Sequence, residues 1–405
     1  MRAMRPFKRL LSREEALAII SANVRRIERI ERIPLETAAG RVLAEDIVAD
    51  LNVPPFSRAA MDGYAVRAEE TYGATAYNPR RLKLIGRQNA GEWFEGEVHP
   101  GECLEVATGS PIPKGSDAVV PTEYAGLEEG FVAVKRPVHP GANISPEGED
   151  IRKGETVMRR GELLTPGRVG ALAALGRDSL WVYARPTVAV IPTGSEVRPP
   201  GSPLERGQVY DTNSYTLSAI ISIHGCIPKR YQVVPDEPEA IRAALRMGLS
   251  QDLVVFTGGS SVGTRDLLAD AVEEEGRILF HGLQVKPGKP TLFGIVDDKP
   301  VFGMPGYPTS CLSNAYIFLI PALRILAGLP PHEPRTVRGR MAERVVASTG
   351  REQFLTVRIR DGLVYPAFKE SGAITSMAHA DGYIIIPVNA DVIEEGEEVT
   401  VTLLE

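Results

Sequence analysis

Apolar residues recur along this chain at two different spacings, and the change between them marks out its parts. Near the start, Ser12 followed by Glu15 forms a capping box, and Leu17, Ile20, Val24 and Ile27 then recur at helical spacing, so an amphipathic helix is predicted there. Residues 42–49 are mixed and read as extended. Asp62-Gly63 stands between apolar residues, a pattern that predicts a type I′ hairpin because both turn positions need positive φ. Residues 82–86, 103–107, 118–120 and 131–134 are short strand-like runs separated by Gly and Pro, the texture of a small β-rich domain. Residues 166–175 read as a helix ended by Gly176.

From Arg185 onward, strand and helix patterns alternate. Residues 188–191, 231–234, 253–256 and 301–303 are predicted strands. Between them lie a helix capped by Thr212 and stopped by Gly225, a helix opened by Asp236 with Glu239 three residues on, and a helix over 266–275. A long apolar helix is expected from Pro308. Such alternation implies parallel βαβ units with helices on both sheet faces, and ligands of such sheets bind at the carboxyl ends of the strands. After a linker over 328–334, extended runs at 336–340, 354–359, 383–388 and 399–404 predict a small all-β domain.

Composition narrows the function classes. With 46 basic and 52 acidic side chains the net charge is −6, so no global field draws the chain to nucleic acid, and a phosphate-bearing ligand needs a local site. The three cysteines are far apart and lack Cys-x-x-Cys spacing, which argues against a disulfide framework or a zinc site. The six histidines form no ligand spacing, and Gly194-Ser195-Glu196 is not a nucleophile elbow. The basic start has no signal-peptide core, and the apolar run 316–323 is short for a bilayer and contains Pro321. A cytoplasmic protein without a membrane partner is expected.

Candidate chemistry gathers at the predicted strand ends. Thr193-Gly194-Ser195-Glu196, Asp236, and Thr257-Gly258-Gly259-Ser260-Ser261 with Asp266 follow three strands and should converge. The glycines of the third loop allow a tight turn that exposes backbone N–H groups to an anion. Lys286-Pro287-Gly288-Lys289-Pro290 adds two ammonium groups on a stiff frame, and Pro305-Gly306 with Ser310 adds a last glycine turn at a helix start. Lysines, backbone donors and hydroxyls suit phosphate or another oxyanion, and carboxylates suit a hard cation such as Mg²⁺. Each feature also has a structural reading. Asp62 is explained by a turn, Asp236 with Glu239 by a helix cap, and Glu147, Glu149 and Asp150 by a solvated acidic loop.

Taken in order, Pro54-Pro55-Phe56, Met61-Asp62-Gly63-Tyr64-Ala65, Thr108-Gly109-Ser110-Pro111-Ile112-Pro113, Gly148-Glu149-Asp150-Ile151, Thr193-Gly194 with Glu196, Gly258-Gly259 with Ser261-Val262-Gly263, the Lys286 to Pro290 string, and Pro305-Gly306 with Pro308 resemble the molybdopterin molybdenumtransferase family. The catalytic half of that family is shared with gephyrin. The resemblance covers nearly the whole chain. It implies a multidomain α/β plus β fold, with a doubly wound α/β domain over 185–328 and a small barrel-like β domain over 332–405. It also implies a β-rich domain over 51–140, inserted into an elongated amino-terminal domain made of 1–50 and 141–184.

The activity implied is insertion of molybdate, or tungstate, into adenylylated molybdopterin with release of AMP, in a Mg²⁺-dependent step on a homodimer. A molybdopterin adenylyltransferase is a possible partner. By the same resemblance Asp62, Glu196, Lys286 and Lys289 are catalytic, and Asp62, Asp150, Glu196, Asp236 and Asp266 surround the cation. Thr108, Thr193, Gly194, Gly258, Gly259, Ser260, Ser261, Pro305, Gly306 and Ser310 contact substrate. The chain departs from the usual family strings at Ser57, Ala59, Ser145, Ser195 and Tyr307, and Tyr307 removes an N-cap acceptor before Pro308. A non-catalytic scaffold of the same fold, or the adenylyltransferase itself, would be the alternatives. The second lacks the amino-terminal domains and the terminal β domain that this chain carries.

Overall fold

The computed structural model describes residues 9–258, 266–367 and 373–404. The chain separates into two compact units, one made of Met1–Arg32, Gly40–Val42 and Trp181–Glu405, the other of Ile33–Ala39 and Leu43–Leu180.

The second unit is built on a six-stranded sheet in the order Ala118–Pro121, Gly63–Val66, Glu102–Val106, Arg80–Gln88, Phe131–Val134, Ala125–Glu128. Gly63–Val66 and Ala118–Pro121 are apolar and buried throughout, while Glu102–Val106 and Arg80–Gln88 carry charged residues at exposed or partly exposed positions. Tyr64, Val66, Cys103 and Val120 enter one core, while Ala65, Leu104, Val106 and Val119 enter another. The hairpin expected at Asp62-Gly63 does not form. Gly63 begins a strand that pairs with Glu102–Val106 and Ala118–Pro121, not with the preceding Arg58–Ala59. The glycine is needed for space, since a Cβ there would fall 2.1 Å from the Val120 carbonyl oxygen. The predicted helix is Pro166–Ala174, started by the Thr165 hydroxyl and ended by Gly176 at φ 72°.

In the first unit, Ser12 and Glu15 make both bonds of the capping box, and the helix Arg13–Asn23 packs Ala16 and Ile20 into the core. The central sheet runs Ile227–Arg230, Thr187–Pro192, Leu253–Thr257, Lys299–Met304, Leu292–Val296, Gly276–His281. The first four strands are parallel. Leu292–Val296 is antiparallel to both its neighbours. Successive residues alternate between two cores, with Val188, Val190, Val255 and Phe302 under the helices Arg13–Asn23, Asn213–Ile223 and the long 308–327 helix. Ala189, Ile191, Val254 and Phe256 lie under Pro238–Gly248 and Leu267–Glu275. Burial on both faces explains the uninterrupted apolar strands.

Three local expectations are corrected. The second strand is Ile227–Arg230, not 231–234, because pairing with Thr187–Pro192 starts directly after Gly225 and Cys226. Thr212 makes no side-chain cap; Asp211, a stronger acceptor, takes Ser214 N at 3.0 Å and also the Ser214 hydroxyl. The apolar run, read from the sequence as short for a bilayer, belongs to a longer helix that continues through Pro321. A π-helical turn over Ala315–Leu319 absorbs the missing amide donor, so the helix runs 20 residues from Pro308 to Ala327. It is long and apolar enough to cross a bilayer, yet 72% of its apolar window is buried in protein.

Beyond Gly328, the strands Glu352–Arg360, Leu363–Pro366, Thr336–Met341, Glu398–Leu403 and Gly382–Ile386 close on themselves through pairing of the first with the last, giving a barrel. Val285–Lys286 joins the sheet as an extra strand beside Glu352-Gln353.

The glycines of the second unit give a test. Gly63→Ala forces a methyl against backbone and should destabilise this unit by about 2–3 kcal/mol in urea unfolding. Gly170→Ala, in a helix with nothing within 4 Å of the new Cβ, should stabilise it by about 0.5–1 kcal/mol.

Candidate functional site

The parallel strands number 2-1-3-4 across the sheet, so the order reverses between Thr187–Pro192 and Leu253–Thr257. A crevice opens at such a switch point because the two following loops leave in opposite directions. There Thr193 N donates to Thr257 O at 2.9 Å, Gly194 N to Val234 O at 3.2 Å, and Gly258 N to Met304 O at 3.2 Å. Gly258 has φ 89°, and a Cβ on it would lie 2.6 Å from the Thr193 oxygen. A Cβ on Gly306 would lie 3.6 Å from the Gly258 Cα. At Gly258 only glycine fits, whereas the contact at Gly306 is an ordinary van der Waals one. Thr193-Gly194, Gly258 and Pro305-Gly306 are therefore brought together as the sequence predicted, while Gly259, Ser260 and Ser261 lie outside the described residues. Ser310 is buried in the first turn of the following helix, whose cap residue Tyr307 offers no side-chain acceptor.

Two carboxylates meet beside this crevice. Gly194, at φ 136°, would place a Cβ 2.9 Å from a Glu196 carboxylate oxygen, so Glu196 folds back over its own loop. Asp236 does not cap a helix as expected. The helix begins at Pro238 after Glu237, without a side-chain cap, and Glu239 pairs with Arg242 instead. The Asp236 carboxyl is raised above its ordinary range by partial burial first and by the Glu196 charge second, against a hydrogen bond from the Ser195 backbone. Asp266 caps Leu267–Glu275 by accepting from Ala269 N at 3.0 Å, and its other oxygen lies 3.1 Å from His281 Nε2. Glu196 with Asp236 fits one side of a hard-cation site. Among the described residues no group of three or more candidate ligands gathers, so further ligands would have to come from substrate oxygens and water.

The lysine string is a built loop. Gly288, at φ 103°, accepts from the fully buried Asn314 Nδ2 at 2.7 Å, and the same nitrogen reaches Thr291 Oγ1 at 2.6 Å. A Cβ on Gly288 would overlap the Asn314 amide at 2.3 Å. Lys286 is fixed by pairing with Gln353, and its Nζ donates to Ser348 Oγ. Both lysines are half-buried. Sequence reasoning missed Asn213, Asn314, Ser348 and Gln353. Asn213 is buried and donates to Gly306 O at 2.8 Å, holding the last glycine turn. Its signal was an amide two residues after a capping aspartate; Asn314 and Ser348 had none, since the lysine-loop groups they bond are distant in sequence.

Within the second unit, the remaining family strings also assemble. Arg58–Ala59 pairs with Ile144–Ser145, Ala59 N donates to Ser110 O at 2.9 Å, and Gly148 N to Pro54 O at 3.0 Å. Asp62 accepts from both Thr108 N and Thr108 Oγ1 at 2.7 Å, and these bonds, the backbone one first, hold its carboxyl below the ordinary range. Asp150 is exposed, its backbone N bonded to Val53 O at 3.0 Å.

A doubly wound domain with glycine loops, paired carboxylates and a lysine frame at its strand ends defines a class, and residues 189–325 match the sequence model described as a probable molybdopterin binding domain. Residues 11–176 match the MoeA N-terminal region, domains I and II, and residues 338–404 match the MoeA C-terminal region, domain IV. The chain belongs to the MoeA family of molybdenum cofactor biosynthesis. It is 34% identical over 387 residues to a putative molybdopterin biosynthesis protein of Methanocaldococcus jannaschii, covering 93% of each chain. It is 37% identical over 323 residues to molybdopterin molybdenumtransferase 2 of Mycobacterium tuberculosis, covering 78% of this chain and 80% of that one. The crystal structure of the molybdopterin biosynthesis MoeA protein of Pyrococcus horikoshii matches at TM-score 0.84 and 36% identity, over 98% of this chain and 100% of that one.

The raised Asp236 carboxyl has a sign. A carboxyl held above its unfolded value favours the folded state at low pH, and that contribution is lost as pH rises through the folded value. Asp236→Asn should therefore raise the thermal midpoint at neutral pH and leave it unchanged at pH values where the carboxyl is protonated. Because Asp236 is only partly buried and keeps much of its surface in solvent, the gain should be small and should shrink in high salt.

Proposed function

We propose that the protein is a molybdopterin molybdenumtransferase, which inserts molybdate into adenylylated molybdopterin and releases AMP. The observation that carries this reading is the lysine loop. Lys286 and Lys289 are half-buried on a frame fixed by Asn314, in a chain whose three regions all match the family. Two ammonium groups carried on a fixed backbone, one of them bonded to Ser348, suit a tetrahedral oxyanion and a substrate phosphate, and catalysis would come mainly from positioning and electrostatics. Glycine turns at Gly194, Gly258 and Gly306 leave room for the substrate to approach the backbone.

Glu196 and Asp236 would hold a Mg²⁺ ion, which when bound neutralises charge on the substrate pyrophosphate. On this reading Asp266 adds an acidic group at the start of its helix. Asp62 with Thr108, and Asp150, would supply acidic and hydroxyl groups from the amino-terminal part of a partner subunit. The protein would work in the cytoplasm as a homodimer, receiving substrate from a molybdopterin adenylyltransferase.

Purified protein mixed with adenylylated molybdopterin, Mg²⁺ and molybdate should release AMP. Glu196→Ala or Lys286→Ala should lower kcat/KM by roughly 100- to 1,000-fold while the fold, checked by circular dichroism, is retained. Normal turnover in both variants would refute the site. Intact ligand binding without AMP release in the wild type would refute the activity in favour of a scaffold.

A further inference from the structure

We infer that Ser348, backed by Gln353, is a positioning residue that aims the Lys286 ammonium from the terminal barrel. This rests on the reading of Lys286 as an oxyanion-binding group. Lysine carries a long flexible stem, and a group meant to meet an anion gains by losing that freedom before binding. Among the described residues, the bond shown for its Nζ is not to its own loop. The partner comes from the barrel, where Ser348 Oγ accepts from Lys286 Nζ.

Ser348 is itself held. Its backbone N donates to Gln353 Oε1 at 3.0 Å, and Gln353 is 7% exposed. Gln353 is also the residue paired with Lys286 in the parallel register between Val285–Lys286 and Glu352–Arg360. Neighbours in register stand on the same face, so the Gln353 side chain can reach the Ser348 turn beside the lysine. Two more bonds fasten that turn to the chain entering the lysine loop. Gln284 Nε2 donates to Gly350 O at 3.0 Å, and Glu352 N donates to Gln284 O at 2.9 Å. An ammonium has three donors, so one bond to Ser348 fixes its direction and leaves two for an anion.

The test uses the full chain with Ser348→Ala and Ser348→Thr. For the alanine variant, the molybdate KM should rise about three- to tenfold, with kcat and the KM for adenylylated molybdopterin unchanged. The threonine variant, which keeps the hydroxyl, should restore it. In parallel, trace acylation with acetic anhydride and peptide mapping should show Lys286 labelled severalfold faster in Ser348→Ala and at the wild-type rate in Ser348→Thr. An unchanged molybdate KM or an unchanged labelling rate in the alanine variant overturns the inference. So does failure of threonine to restore either. If the wild type releases no AMP, the transferase reading fails on its own, while the labelling arm still decides whether Ser348 holds the ammonium.

Discussion

The close approach of three strand ends is the constraint on which the central domain depends. Thr193 bonds to Thr257 and Gly258 to Met304, and Gly258 lies within van der Waals reach of both Thr193 and Gly306. The strands behind them are buried on both faces, so their backbone groups can be satisfied only by one another. Polar chemistry is thereby pushed to the loops at the strand ends. Sheet order then decides that the loops after the first and third strands face a common crevice.

The same economy of contacts explains how the charged groups are kept ready. Glu196 and Asp236 sit close enough for one carboxyl to disturb the other, a cost that a stability-driven fold would avoid. The lysines are restrained from two sides, by the buried Asn314 of the long core helix and by the barrel strand Glu352–Arg360. The barrel is therefore part of the lysine loop's framework, tied to it by backbone pairing as well as by side chains.

The same dipeptide shows how far local rules reach. Asp361-Gly362 has φ 51° and 77° and closes the hairpin between Glu352–Arg360 and Leu363–Pro366. Asp297-Asp298, with φ 47° and 60°, closes another between Leu292–Val296 and Lys299–Met304. Asp62-Gly63 does neither. Its glycine is claimed by the Val120 backbone and its carboxylate by Thr108, both distant in sequence. A turn rule describes what a dipeptide permits, and long-range partners choose among the permitted states.

Helix starts with a side-chain signal, such as Ser12 with Glu15 and Thr165, were legible because the bonds span three or four residues. The apolar strands 188–191 and 253–256 were legible because burial on both faces leaves an uninterrupted run. The string of family motifs carried the fold class and the identity of Glu196, Lys286 and Lys289 as candidates. What the tertiary structure alone decided is what each of these bonds to. Glu196 and Asp236 meet as their places after neighbouring strands led one to expect, but only the tertiary structure freed Asp236 from a capping role and made Asp266 a cap beside His281. It also brought Asn314 and Ser348, 26 and 62 residues from their bonding partners, onto the lysine loop. Sequence fixes which groups a segment can offer, but contacts across such separations depend on sheet order and register, which no local pattern encodes.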